Sequence, residues 1–193
     1  MERTGEREVP SVPGTIEGVD EKHLQRYRWA ALYTRNKKVY DVACGTGYGS
    51  LLLGASEYKG FDYSPETVDY ANKYYATIKS VSFSVADACN MPEELDTTEV
   101  IVSFETVEHL KDPEVFLHWC ANHGKVLLIS TPIRHSFGRS HFHLFEYRLS
   151  QFIDVLNKYF VSVQMFVQKQ GGEIVYPCRP EDKGVAIAVC QVL

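Results

Sequence analysis

An apolar run at residues 39–43 leads without a break into Gly45-Thr46-Gly47-Tyr48-Gly49, and no other feature constrains the fold as strongly. Residues 39–43 predict a strand. The glycines after it let the backbone turn sharply and approach a ligand closely. Ser50-Leu51-Leu52-Leu53 predicts a helix behind the loop, whose N-terminal amides would face an anionic group. The spacing is G-x-G-x-G, one residue shorter than the dinucleotide pattern G-x-G-x-x-G. This departure favours a ligand without a pyrophosphate. Asp41, inside the strand end, suits a ligand with a cationic amino group.

The rest of the chain alternates. Strands are predicted at 58–61, 81–85, 100–104 and 126–130, with helices at 65–78, 113–121 and 150–159. The final strands, 161–167 and 185–192, have no helix between them and are expected to pair antiparallel. Asp20 is expected to open a helix ending near Asn36, with Leu24, Tyr27 and Ala31 on one face. Ser64 and Pro65 fit the cap and first turn of the helix at 65–78. Such alternation predicts a mostly parallel sheet covered on both faces. Residues 1–19 hold several prolines and glycines and read as an irregular arm, leaving 20–193 as a single domain.

Composition weighs against some classes without excluding a nucleic-acid partner. The 20 Lys and Arg against 25 Asp and Glu give a net charge of -5, which argues against a nucleic-acid partner. The longest apolar run is too short to span a bilayer. The charged N-terminal stretch does not read as a secretory signal. Cys44, Cys89, Cys120, Cys178 and Cys190 are widely spaced and odd in number, and read as reduced thiols of a cytoplasmic protein.

Two further acids follow predicted strands in order. Asp62 ends the second, where an acid in Rossmann-type sites accepts hydrogen bonds from ribose hydroxyls. Asp87 follows the third, where a carboxylate can reach an adenine amino group, with Ala88 at the ring face. Beyond the fourth strand stands Phe104-Glu105-Thr106-Val107-Glu108-His109, and later His143-Leu144-Phe145-Glu146-Tyr147. If Glu105, Glu108 and His109 begin a helix, they project to one side. Together with His143 they could hold a divalent metal, or His109 or His143 could act as a general base. They could equally serve only to satisfy groups at the strand end. His23, His118 and His123 read as surface histidines.

Residues 39–49, Gly60-Phe61-Asp62-Tyr63-Ser64, Ala86-Asp87-Ala88 and 104–110 resemble the successive motifs of class I S-adenosylmethionine-dependent methyltransferases. The resemblance implies an α/β, Rossmann-like seven-stranded sheet of order 3-2-1-4-5-7-6, strand seven antiparallel, with helices on both faces. It implies a cofactor site for S-adenosylmethionine drawn from Tyr27, Asp41, Ala43, Gly45, Thr46, Gly47, Asp62, Tyr63, Asp87, Ala88 and Phe104. Gln25-Arg26-Tyr27-Arg28 resembles the leading helix of several subfamilies, where polar residues cover the methionine carboxylate. The Glu-x-x-Glu-His and His-x-Phe-Glu-Tyr patterns resemble both ubiquinone-biosynthesis-type O-methyltransferases and small-RNA 3′-end ribose methyltransferases. In the second group the positions of Glu105, Glu108, His109 and His143 bind a metal, so magnesium or manganese is a candidate second cofactor.

The expected activity is methyl transfer to a small-molecule acceptor at oxygen, with His109, Glu105 and His143 as catalytic candidates. The alternatives are a metal-dependent RNA ribose methyltransferase and a catalytically inactive cofactor-binding or scaffold subunit. Residues 133–149 mix cations and aromatics (Arg134, His135, Phe137, Arg139, His141, Phe142), which suits an acceptor-binding segment or a lid packing on itself. A monomer or a homodimer is expected.

Overall fold

The computed structural model describes residues 7–133 and 143–192. The chain divides into two compact units, Met1–Ala88 and Cys89–Leu193.

In the first unit, β1 (Lys38–Val42) pairs in parallel with β2 (Glu57–Asp62), and β2 in parallel with β3 (Val81–Val85), giving the order β3-β2-β1. Four of the five β1 residues are buried, so both faces of that strand are covered, as a parallel strand requires. On β3 only Phe83 is buried. Among the described residues this unit also has two α-helices. α1 (Glu21–Thr34) starts at Asp20, whose carboxylate accepts from the Lys22 amide at 2.8 Å. α2 (Pro65–Tyr74) starts at Ser64, whose hydroxyl accepts from the Thr67 amide, with Pro65 in the first turn. Asn72 ties α2 to β3 by accepting from the Phe83 amide and donating to its carbonyl.

The helix expected behind the glycine loop is a single 3-10 turn, Tyr48–Leu51. Leu53 is wholly buried and Gly54 takes φ 61°, which turns the chain out of any continuing helix. The Ser56 amide then bonds the Lys37 carbonyl and the chain enters β2. α2 likewise stops at Tyr74, short of the predicted end at 78.

In the second unit, β4 (Thr98–Phe104) and β5 (Gly124–Pro132) are parallel. β8 (Val185–Gln191) lies antiparallel between β5 and β6 (Ser162–Gln168). A two-residue strand, β7 (Ile174–Val175), pairs antiparallel with β6. The order is β4-β5-β8-β6-β7. The two predicted final strands therefore pair antiparallel as expected, and the later one sits inside the sheet. Six of the seven β8 residues are buried, which its unbroken apolar sequence requires.

Among the described residues there are eight strands instead of the expected seven, because Ile174–Val175 adds a short edge pairing that two residues cannot signal by periodicity. α3 (Pro113–His123) and α4 (Leu149–Leu156) bury Phe116, Leu117, Phe152 and Leu156. α4 ends before the predicted boundary at 159. Asp112 caps α3 by accepting from the Val115 amide.

His123, expected at the surface, is buried at the end of α3. It stacks on Trp119, with ring nitrogens 2.9 Å from the Trp119 carbonyl and 3.3 Å from the Glu93 carbonyl. None of the five cysteines is disulfide-bonded among the described residues. Among the described residues no helix is long and apolar enough to cross a membrane.

Candidate functional site

In the first unit the candidate cofactor residues gather at the C-terminal ends of β1 and β2. Ala43, Gly45 and Gly47 have positive φ values of 60°, 55° and 90°, so the loop coils back on itself. A Cβ added to Gly45 would meet no described atom within 4 Å, so open space lies beside this backbone. Gly47 differs: a Cβ there would press on the Phe83 ring at 2.7 Å. One glycine faces space that a ligand can take, and the other lets the loop settle on β3.

Asp62 closes this loop. Its Oδ2 accepts from the Gly45 amide at 3.0 Å and its Oδ1 from the Ser64 amide at 3.0 Å. The side chain is buried, and burial raises its pKa against the opposing pull of those amides and of Arg7. The Arg7 guanidinium lies 3.9 Å from Oδ1. The Ala86 amide donates to the Asp62 carbonyl, which brings residues 86–88 alongside the end of β2. Asp87 is exposed there and Ala88 buried. Tyr63 is 72% exposed. Thr46 is wholly buried and donates its hydroxyl to the Glu8 carbonyl at 3.0 Å.

Asp41 lies deeper. Its carboxylate is wholly buried and accepts from the hydroxyls of Tyr58 and Tyr27, at 2.8 Å and 3.2 Å to Oδ2. Burial raises its pKa to about 7, against the pull of both phenols. Three residues of this region were not found from the sequence: Arg7, Glu8 and Tyr58. The signal available for Tyr58 was a phenol in an otherwise apolar strand. For Arg7 and Glu8 there was none, because their role depends on where an irregular arm lies.

In the second unit, Phe104 ends β4 and Glu105 follows with φ 51°. The Glu105 amide donates to the Ser130 carbonyl at 3.1 Å and hydroxyl at 3.0 Å, anchoring the turn to β5. The expected helix over Glu105, Glu108 and His109 is a 3-10 turn of three residues, Val107–His109. The left-handed backbone at Glu105 prevents helix from beginning there. Glu105 therefore lies outside the turn that carries the other two.

Glu108, His109 and His143 do come together. Each offers one ligand atom, and the three atoms lie within 4.8 Å of one another. The rings of His109 and His143 meet edge to face at 4.9 Å. The Glu108 carbonyl accepts from the amides of Leu144 and Phe145, and this places His143. Tyr147 is buried close by, its pKa pushed up to about 12 by burial and by the charges of Glu108 and Glu114. Arg134, His135, Phe137, Arg139, His141 and Phe142 lie outside the described residues.

Residues 40–125 match the family model described as a methyltransferase domain. That match and the relatives that follow support a class I S-adenosylmethionine-dependent methyltransferase domain. A Mycolicibacterium smegmatis protein described as a probable S-adenosylmethionine-dependent methyltransferase is 30% identical over 145 residues, covering 69% of this chain and 52% of that protein. Norajmaline N-methyltransferase of Rauvolfia serpentina is 34% identical over 101 residues, covering 47% of this chain and 34% of that enzyme. The chain thus spans about half the length, or less, of these curated relatives. Among solved structures, the methyltransferase in complex with the Haloferax volcanii Trm112 activator superposes with a TM-score of 0.73 at 19% identity, covering 90% of this chain and 91% of that one. That likeness shows the Rossmann-like methyltransferase fold. The relatives support S-adenosylmethionine as the cofactor.

Proposed function

We propose that the chain transfers a methyl group from S-adenosylmethionine to a small-molecule acceptor, at oxygen. The observation that carries this reading is the loop closure by Asp62. Its two oxygens are held by the Gly45 and Ser64 amides, beside a glycine with open space next to it. A carboxylate held this way can still accept from a pair of ribose hydroxyls. Asp87, at the following strand end, is suited to the adenine amino group.

The cofactor brings an electrophilic methyl on a sulfonium. The chain has to hold the acceptor in line with it and keep water out. An oxygen acceptor must also lose its proton, and His109, with Glu108 Oε1 4.0 Å from its Nε2, is suited to take it as the C–O bond forms and the C–S bond breaks. Calorimetry tests the cofactor assignment: binding of S-adenosylmethionine to the unmutated chain, lost in Asp62→Ala, is the expected result. No binding to the unmutated chain would sink the reading. Screening hydroxyl and amine acceptors tests the choice of atom, and the norajmaline N-methyltransferase relative makes nitrogen the competing outcome.

The acid-histidine cluster favours one second reading, a metal-assisted reaction on a ribose diol at an RNA end. One carboxylate and two imidazoles within 4.8 Å suit a divalent ion such as magnesium or manganese. Glu108, His109 and His143 would hold it, and it would lower the pKa of a bound hydroxyl. Glu105 is not one of those three. Turnover that survives a strong chelator would remove this version.

A further inference from the structure

The acid that precedes the glycine loop is sealed beneath it, although a loop acid that met the cofactor directly would need an open path to it. Asp41 on β1 accepts from Tyr58 on β2 and from Tyr27 on α1, so one carboxylate joins three elements. The Tyr27 ring meets Tyr48 edge-on at 5.5 Å, in the 3-10 turn that follows the loop. Gly49 makes this close approach possible: a Cβ there would collide with the Tyr27 ring and lie 3.0 Å from Asp41 Oδ2. Burying a carboxylate costs stability that an apolar residue would not, so two phenols aimed at it specify a particular arrangement.

We propose that Asp41 is a positioning residue: with Tyr27 and Tyr58 its carboxyl latches α1 onto the glycine loop and holds that loop in its cofactor-binding shape. The proposal rests on the methyltransferase reading for what the loop binds, and on geometry alone for the latch. The titratable groups facing Asp41 among the described residues are Tyr27 from α1, Tyr58 and Asp62 from β2, and Cys44 from the loop, with Tyr48 beyond Tyr27. Closing the latch removes the carboxylate from water and raises its affinity for a proton. The closed form is therefore favoured at acid pH and loosens as pH rises towards 7.

The test is amide hydrogen exchange of Glu21–Thr34 in the unliganded protein between pH 5 and 8, corrected for intrinsic rates, with S-adenosylmethionine affinity measured alongside. In the unmutated chain α1 protection should fall by up to about tenfold per pH unit up to about pH 7 and then level off. Asp41→Asn should flatten that dependence. Tyr27→Phe, which removes one hydroxyl and keeps the ring, should lower α1 protection and cofactor affinity each by about fivefold, the worth of one net hydrogen bond.

Unchanged α1 protection in Tyr27→Phe overturns the latch, as does an unaltered pH dependence in Asp41→Asn. Loss of cofactor binding in Asp41→Asn with α1 protection untouched assigns Asp41 to direct contact with the cofactor instead. If the exchange behaves as stated but S-adenosylmethionine does not bind the unmutated chain, the latch stands and the methyltransferase reading fails.

Discussion

The Gly45 backbone amide donates to Asp62 Oδ2 at 3.0 Å across 17 residues of chain. This bond fixes the loop after β1 to the last residue of β2, and it sets the shape of any ligand pocket formed there. A left-handed glycine makes it possible, because the φ of 55° turns the amide towards the carboxylate.

Replacing Asp62 by Asn keeps the size but gives the loop an amide group with a single acceptor oxygen. One of the Gly45 and Ser64 amides then loses its acceptor, and on the proposed reading a ribose would lose a charged one. We expect cofactor affinity to fall at least about tenfold, in line with a hydrogen bond to a charged group. Calorimetry on Asp62→Asn checks this, and circular dichroism confirms that the fold is retained.

Arg7 faces the same carboxylate from the N-terminal arm, 3.9 Å from Oδ1. On the proposed cofactor reading it would compete with the ribose hydroxyls for Asp62. The separation is long, and such a pair is worth about 0.5 kcal/mol. Arg7→Ala should tighten cofactor binding by about twofold at low salt, with the difference shrinking at high salt. Titrations at two ionic strengths measure it.

Asp41 makes stability depend on pH in an unusual direction. Its folded pKa is raised to about 7 by burial, above the ordinary carboxylate value. The folded state then binds the proton more tightly than the unfolded chain does. The contribution of Asp41 is fully present below about pH 4 and is lost as pH rises to about 7. Urea denaturation at pH 5 and pH 8 should show Asp41→Asn gaining on the unmutated chain at the higher pH, by up to about 2 kcal/mol.

His143 and Glu108 are joined through the backbone, because the Glu108 carbonyl accepts from Leu144 and Phe145. If the cluster holds a divalent ion, His143→Ala should weaken manganese binding by about tenfold to a hundredfold without unfolding the chain. Manganese titration followed by electron paramagnetic resonance reads this out. Absence of binding to the unmutated chain would leave His109 as a metal-free base candidate.

The sequence alone determined the alternating strand-helix pattern, the glycine loop and the acids at successive strand ends. Those features are local: β1 is a short apolar run, the glycines follow it closely, Asp62 ends β2 and Asp87 follows β3 by two residues. The antiparallel pairing of the last two strands was also legible, because no crossover segment separates them.

Tertiary structure decided what depends on distant packing. The expected helix at Ser50–Leu53 became one 3-10 turn because Leu53 is drawn into the core and Gly54 turns the chain towards β2. Glu105 left the acid-histidine group because its amide is claimed by Ser130, 25 residues later. His123 was drawn inside by Trp119 and by carbonyls that periodicity does not reveal. Asp41 could be read as an acid at a loop, but its two phenol partners come from α1 and β2, 14 and 17 residues away. A residue type and its neighbours in sequence say what chemistry is available. Which groups share a carboxylate in the interior is settled only when the elements pack, since burial selects the partners that satisfy it.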